Sequence, residues 1–161
     1  MSRRGFLAAA VLCAVCLLCG CSSFQKSLFE CSMSIERRLS KLQPKTLQAG
    51  GLTFSYLERT GTGETIVLLH GFGADKDNWV RFVRRLPGEY RVIAIDLPGH
   101  GSSTRDAQTT YTIEFIVQGF AAAAEELGLE RFHLAGNSMG GYVGVLYSAC
   151  LLYTSPSPRD S

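Results

Sequence analysis

The chain carries almost no excess charge of either sign. Its formal net charge is +2, and no basic run is long enough to follow a phosphate backbone, which excludes nucleic acid as a partner. A cysteine framework is missing as well. Of six cysteines, Cys13, Cys16, Cys19 and Cys21 crowd an N-terminal apolar segment. Cys31 and Cys150 are left far apart, so neither a disulfide set nor a metal-ligand spacing is formed. The N-terminal apolar stretch, residues 6–18, falls short of the ~20 residues needed to span a bilayer as a helix. Repeats and low-complexity segments are absent. Hydrophobic residues at 46% and charged residues at 19% exclude disorder, and 161 residues suit one domain.

What is present begins with Arg3 and Arg4, the apolar stretch 6–18, then Gly20 and Cys21. This is the charged, apolar and small-residue succession of an export signal over residues 1–20. Leu18-Cys19-Gly20-Cys21 resembles the bacterial lipobox, although Cys19 stands where that motif normally holds Ala, Ser or Thr. The resemblance implies lipidation at Cys21, anchoring to a membrane in the cell envelope and, from Ser22, the outer membrane of a Gram-negative cell. Ser2-Arg3-Arg4-Gly5-Phe6-Leu7 also resembles a twin-arginine export motif. An uncleaved anchor and an ordinary secretory signal are the alternatives. Residues 21–44 form a linker in which Leu28, Ile35, Leu39 and Leu42 recur at helical spacing. Such a helix either lies on the anionic membrane surface or packs on the domain it precedes.

Residues 45–149 alternate strand and helix. Leu52, Phe54 and Tyr56 alternate with Thr53 and Ser55 after Gly50-Gly51, a hairpin strand. Residues 65–69, 91–95 and 132–135 are apolar runs suited to strands buried on both faces. Asp77 is expected to cap a helix burying Trp79, Phe82, Val83 and Leu86, which Pro87-Gly88 stops. Thr112 opens a second helix facing inward with Ile113, Ile116, Phe120, Ala124 and Leu127, ended by Gly128. Short connections between such elements imply a mostly parallel sheet with helices on both faces, whose ligands bind at the carboxyl ends of the strands.

Three motifs sit at those ends. Gly136-Asn137-Ser138-Met139-Gly140 fits the G-x-S-x-G turn that projects a nucleophilic serine from a sheet edge. Its serine takes a strained conformation that leaves no room for side chains at Gly136 and Gly140. His70-Gly71-Phe72-Gly73 follows the 65–69 strand directly. Asp96-Leu97-Pro98-Gly99-His100-Gly101-Ser102-Ser103 follows the next, with Pro and Gly setting a tight reversal and Asp96 placed to accept from turn amides.

Together these pieces resemble the α/β-hydrolase fold over residues 50–149, and residues 69–77, 96–101 and 133–141 are similar to bacterial triacylglycerol and monoacylglycerol lipases in particular. The resemblance implies an N-terminal half of that fold and a serine carboxylic ester hydrolase, with no metal or cofactor, acting on a small-molecule or lipid ester. Ser138 is the nucleophile it implies, and the backbone N–H groups of Phe72 and Met139 form the oxyanion hole. His70, Gly71 and Gly73 support the oxyanion loop, as Gly136 and Gly140 support the serine. His70, His100 and Asp96 are read as structural, and His133 as a residue of a core strand. Serine at the elbow argues against dehalogenases and epoxide hydrolases. A C–C bond hydrolase, a perhydrolase and a non-catalytic scaffold lipoprotein remain alternatives.

The family order is serine, then acid, then histidine. No histidine follows Ser138, and the sole later acid is Asp160. Residues 150–161, with Pro156 and Pro158, resemble the translation of a transposase-adapter sequence used in DNA library preparation. They are read as a non-native tail on a truncated gene, which makes the chain as written inactive. A natural short isoform is the other reading.

Overall fold

The computed structural model describes residues 22–154. The export signal, Cys21 and residues 155–161 lie outside the described residues. Contacts divide the chain into two compact units between Glu36 and Arg37.

Helix α1 (Ser22–Leu39) runs through that division. In the first unit Leu28, Phe29 and Ile35 lie exposed on it. The helix ends before Leu42. Lys41 takes a left-handed φ of 56°, its N–H bonds Arg38 O at 3.0 Å, and Leu42 N–H bonds Arg37 O at 2.9 Å. This closure of the last carbonyls usually employs glycine at the left-handed position. The reversal turns Leu42 into the interior of the second unit, 3% exposed.

Strand β1 (Gln43–Ala49) follows at once and crosses the expected linker boundary at residue 44. Four of its first residues are exposed, so no apolar alternation announces it. Pro44, which has no N–H to donate, is tolerated because β1 is the sheet edge. Gly50 and Gly51, with φ of 55° and 75°, make the two-residue turn that sets Ala49 opposite Leu52 on β2 (Leu52–Arg59).

β3 (Thr65–Leu69), β4 (Arg91–Ile95) and β5 (His133–Gly136) complete the sheet in the order β1-β2-β4-β3-β5. β4, β3 and β5 are parallel, while β1 and β2 are antiparallel to their neighbours. Alternate residues serve opposite faces. Phe54, Val67, Leu69, Ile93 and Ile95 share one core with Ile116 and Phe120 of α3 (Ile113–Glu126) and Val143 and Tyr147 of α4 (Met139–Thr154). Phe120 meets Tyr147 edge-on at 4.9 Å. Leu57, Leu68, Val92 and Ala94, equally buried, alternate with that set. Beyond β2, the Arg59 guanidinium donates to Val83, Leu86 and Pro87 carbonyls, tying down the 3-10 turn Lys76–Trp79 and α2 (Val80–Val83).

The elements read from sequence hold at β2, β3, β4, α3 and the start of α4, with three corrections. Asp75, not Asp77, caps the segment after β3, accepting from Asp77 N–H at 2.9 Å. Asp77 pairs with Arg37 at 2.6 Å instead. The segment is a 3-10 turn and one helical turn that bury Val80 and Val83 and leave Phe82 45% exposed. β5 is half-exposed rather than buried, and His133 stands in solvent, 3.0 Å from Glu64. It is the outer parallel strand among the described residues. Finally, α4 runs to Thr154 and so enters residues 150–161, which the sequence reading set apart as a tail.

Thr112 caps α3 through its hydroxyl, which accepts from Phe115 N–H, and Gly128 at φ 63° closes it. The register decides where the chemistry can lie. Leu69 stands beside Ile95 on one flank and Gly136 on the other. His70, Asp96 and Asn137 therefore leave the sheet side by side.

Candidate active site

Ser138 occupies the step from β5 to α4 at φ 52°, a left-handed conformation rare for a side-chain-bearing residue. The turn that holds it has no tolerance at its flanks. A Cβ on Gly136 would lie 2.3 Å from the Gly140 carbonyl carbon, and one on Gly140 would lie 2.4 Å from Leu69 O. Both distances are far inside contact, so glycine at 136 and 140 is a packing requirement between β3, β5 and α4. Asn137 N–H bonds Leu69 O at 3.0 Å, and Gly140 N–H returns to Asn137 O at 2.9 Å. Ser138 itself is exposed.

The loop after β3 reaches the same spot. A Cβ on Gly71 would lie 3.5 Å from Ser138 Cβ. Phe72, next in the chain, is 83% exposed, and Gly73 takes φ 69°. Met139, partly buried, opens α4, whose N-terminus points the positive end of its dipole at this position. Phe72 and Met139 both line a cavity of about 470 Å³ with Gly99, His100, Tyr111 and Ile116. Its walls are chiefly apolar, with one aromatic edge contact between Phe72 and His100 at 5.7 Å.

His70 is fully buried. Its Nε2 accepts from Leu97 N–H at 3.0 Å, which leaves Nδ1 to carry the proton and donate to Gly71 O at 2.8 Å. Burial holds its pKa below the ordinary 6.5, and the Gly71 carbonyl and nearby Asp96 only partly oppose this. With both nitrogens engaged, the ring spans two loops and has no free lone pair for Ser138. His100 Nδ1 is occupied by Pro98 O at 3.1 Å. The exposed His133 faces Glu64 from the opposite end of β5. None of the three is arranged as a base for the serine.

Asp96 is fully buried, and it is held by a residue to which the sequence reading gives no role. Lys76, 6% exposed, donates its backbone N–H to one carboxylate oxygen and its ammonium to the other, each at 2.7 Å. Ser102 N–H adds a third bond at 2.8 Å. Gly101 makes this possible, since a Cβ there would sit 2.2 Å from the Asp96 carboxylate. A lysine inside a polar stretch reads as solvated; only the 20-residue separation closed by the sheet reveals the pair.

A family model described as alpha/beta hydrolase fold matches residues 64–151. The chain is 38% identical over 117 residues to a monoacylglycerol lipase of Xenopus laevis, covering 70% of this chain and 35% of the relative. It is 44% identical over 95 residues to the dihydrolipoyllysine-residue acetyltransferase component of an acetoin cleaving system in Cupriavidus necator, covering 58% and 25%. Among solved structures it is similar to a membrane phospholipase A described as a bacterial virulence factor. That match has a TM-score of 0.74 and 40% identity, and covers 92% of this chain and 48% of the other. The chain spans between a quarter and a half of these relatives' lengths.

Proposed function

We propose that this chain, which belongs to the alpha/beta-hydrolase fold family, carries the nucleophile and oxyanion hole of a serine ester hydrolase acting on lipid esters. The observation that carries the reading is Ser138 at φ 52° between two glycines whose hydrogens are all the packing admits. Strain of this kind persists where the surrounding structure over-determines it, and it aims the hydroxyl outward.

In this mechanism Ser138 Oγ bonds to the acyl carbon and its proton passes to a histidine. The carbonyl oxygen gains negative charge between the Phe72 and Met139 N–H groups. The alcohol then leaves with that proton, and water hydrolyses the acyl-enzyme by the same steps. Each oxyanion donor contributes about 2.7–4 kcal/mol at the tetrahedral stage. In the family order an acid and then a histidine follow the serine. The apolar cavity beside Phe72 and Met139 suits an acyl chain. Lipidation at Cys21 holds the enzyme at the membrane where such esters lie. The diacylglyceryl group with an amide-linked chain exceeds the single acyl chain that binds only marginally.

The test is fluorophosphonate labelling of the protein expressed from its full gene. Label on Ser138, lost in Ser138→Ala together with turnover of medium-chain p-nitrophenyl esters, is the expected result. Full turnover in Ser138→Ala overturns the reading in favour of a scaffold. For the anchor, labelled fatty acid enters the wild type and not Cys21→Ser; equal incorporation overturns that part.

A further inference from the structure

Two buried polar links join the 70–76 loop to the 96–103 turn. The loop starts at His70, whose ring holds Gly71 O and Leu97 N–H. It ends at Lys76, whose amide and ammonium both grip Asp96. Asp96 is itself fixed from three further sides. Its N–H bonds Ser55 O at 2.9 Å, its carbonyl accepts from Ser103 Oγ at 2.7 Å, and its carboxylate accepts from Ser102 N–H. The exposed Phe72 lies between these two fastened ends.

The chemistry of the pair is unusual for a mere brace. Both charged side chains are removed from water, at 7% and 0% exposure. Burying two ions carries a desolvation cost that their attraction must offset, and an apolar pair of similar volume is often as stable. What an apolar pair cannot supply is direction. The ammonium and amide of one residue on two oxygens of one carboxylate hold Lys76 to a single orientation. Phe72 lies four residues upstream of Lys76 in the same loop.

We propose that Lys76 and Asp96 form a positioning pair that aims the Phe72 N–H at the oxyanion formed on Ser138. The inference rests on the proposed roles of Ser138 and Phe72. Neither Lys76 nor Asp96 touches substrate; they act through the loop. A donor held loosely still admits the substrate but stabilises the transition state less, so the effect falls on kcat rather than KM.

The experiment uses the full-length enzyme, with active sites counted by fluorophosphonate titration so that unfolded molecules drop out. Lys76→Met keeps the stem length and removes the ammonium. Turnover per titrated site falls about tenfold, KM changes less than about twofold, and affinity for a trifluoromethyl ketone mimic falls with kcat. Arg91→Met, which breaks the Glu58 ion pair away from the site, is the control and leaves turnover per site unchanged. Unchanged turnover and mimic affinity in Lys76→Met overturn the proposal, as does a loss confined to the number of titratable sites. If Lys76→Met does not fold, the Lys76→Met/Asp96→Asn enzyme, which buries no lone charge, is measured the same way. Failure of both to fold assigns the pair to the fold and likewise overturns the proposal. A wild type that does not label at Ser138 refutes the proposed function instead, a separate result.

Discussion

The backbone N–H of Leu97 donates to Nε2 of His70 at 3.0 Å, across the gap between the β4 turn and the β3 loop. That bond places the proton of the neutral His70 ring on Nδ1, which donates to Gly71 O. Burial lowers its pKa in the folded protein. Below the ordinary 6.5 the unfolded chain therefore binds a proton that the folded chain refuses. Stability contributed by neutral His70 is present above that value and is lost as pH falls through the window beneath it. Urea unfolding between pH 5 and 7.5 should show stability rising with pH, and His70→Gln should flatten the rise. Equal slopes in the two proteins would contradict the assignment.

Strain at Ser138 can be measured directly. A left-handed residue with a Cβ costs about 1–2 kcal/mol, a cost glycine does not bear. Ser138→Gly should be more stable than Ser138→Ala by roughly that amount in denaturant titration. Both should lose about 10⁶-fold in turnover with the nucleophile. If Gly is no more stable than Ala, the φ of 52° stores nothing.

The elbow glycines should differ sharply from Gly73. Gly140→Ala forces a Cβ to 2.4 Å from Leu69 O, whereas a Cβ at Gly73 meets nothing within 4 Å. Gly73→Ala bears only the left-handed cost, about 1–2 kcal/mol. Gly140→Ala must push β3 from α4, so a loss well above that and an unlabelled serine are expected. Thermal melts with probe labelling decide it; equal losses would be fatal to the packing account.

Phe72 contributes through its backbone. Phe72→Ala keeps the N–H and should retain turnover within about tenfold, the remainder reflecting lost contact with His100. Phe72→Pro deletes the donor and should cost about 10²–10³-fold in kcat. Equal kinetics in the two variants, with native circular dichroism, would remove Phe72 from the oxyanion hole.

Local chemistry was enough for much of this protein. Apolar runs at 65–69 and 91–95, the Thr112 cap and the Gly128 stop name β3, β4 and α3, because each signal lies within one element. The elbow was legible for the same reason: Gly136, Ser138 and Gly140 fall within five consecutive residues of one turn. β1 was not, since an edge strand takes its hydrogen bonds from a neighbour and needs no apolar pattern of its own. His133 sits in an apolar run that reads as core, yet it lies at an exposed end of β5. Asp75 and Asp77 are equivalent as caps by residue type; a partner 40 residues away, Arg37, claims one of them. The Lys76–Asp96 pair is the furthest from legibility. Its worth depends on burial and on two oxygens meeting one lysine, and those distances exist only after parallel β3 and β4 set their ends side by side.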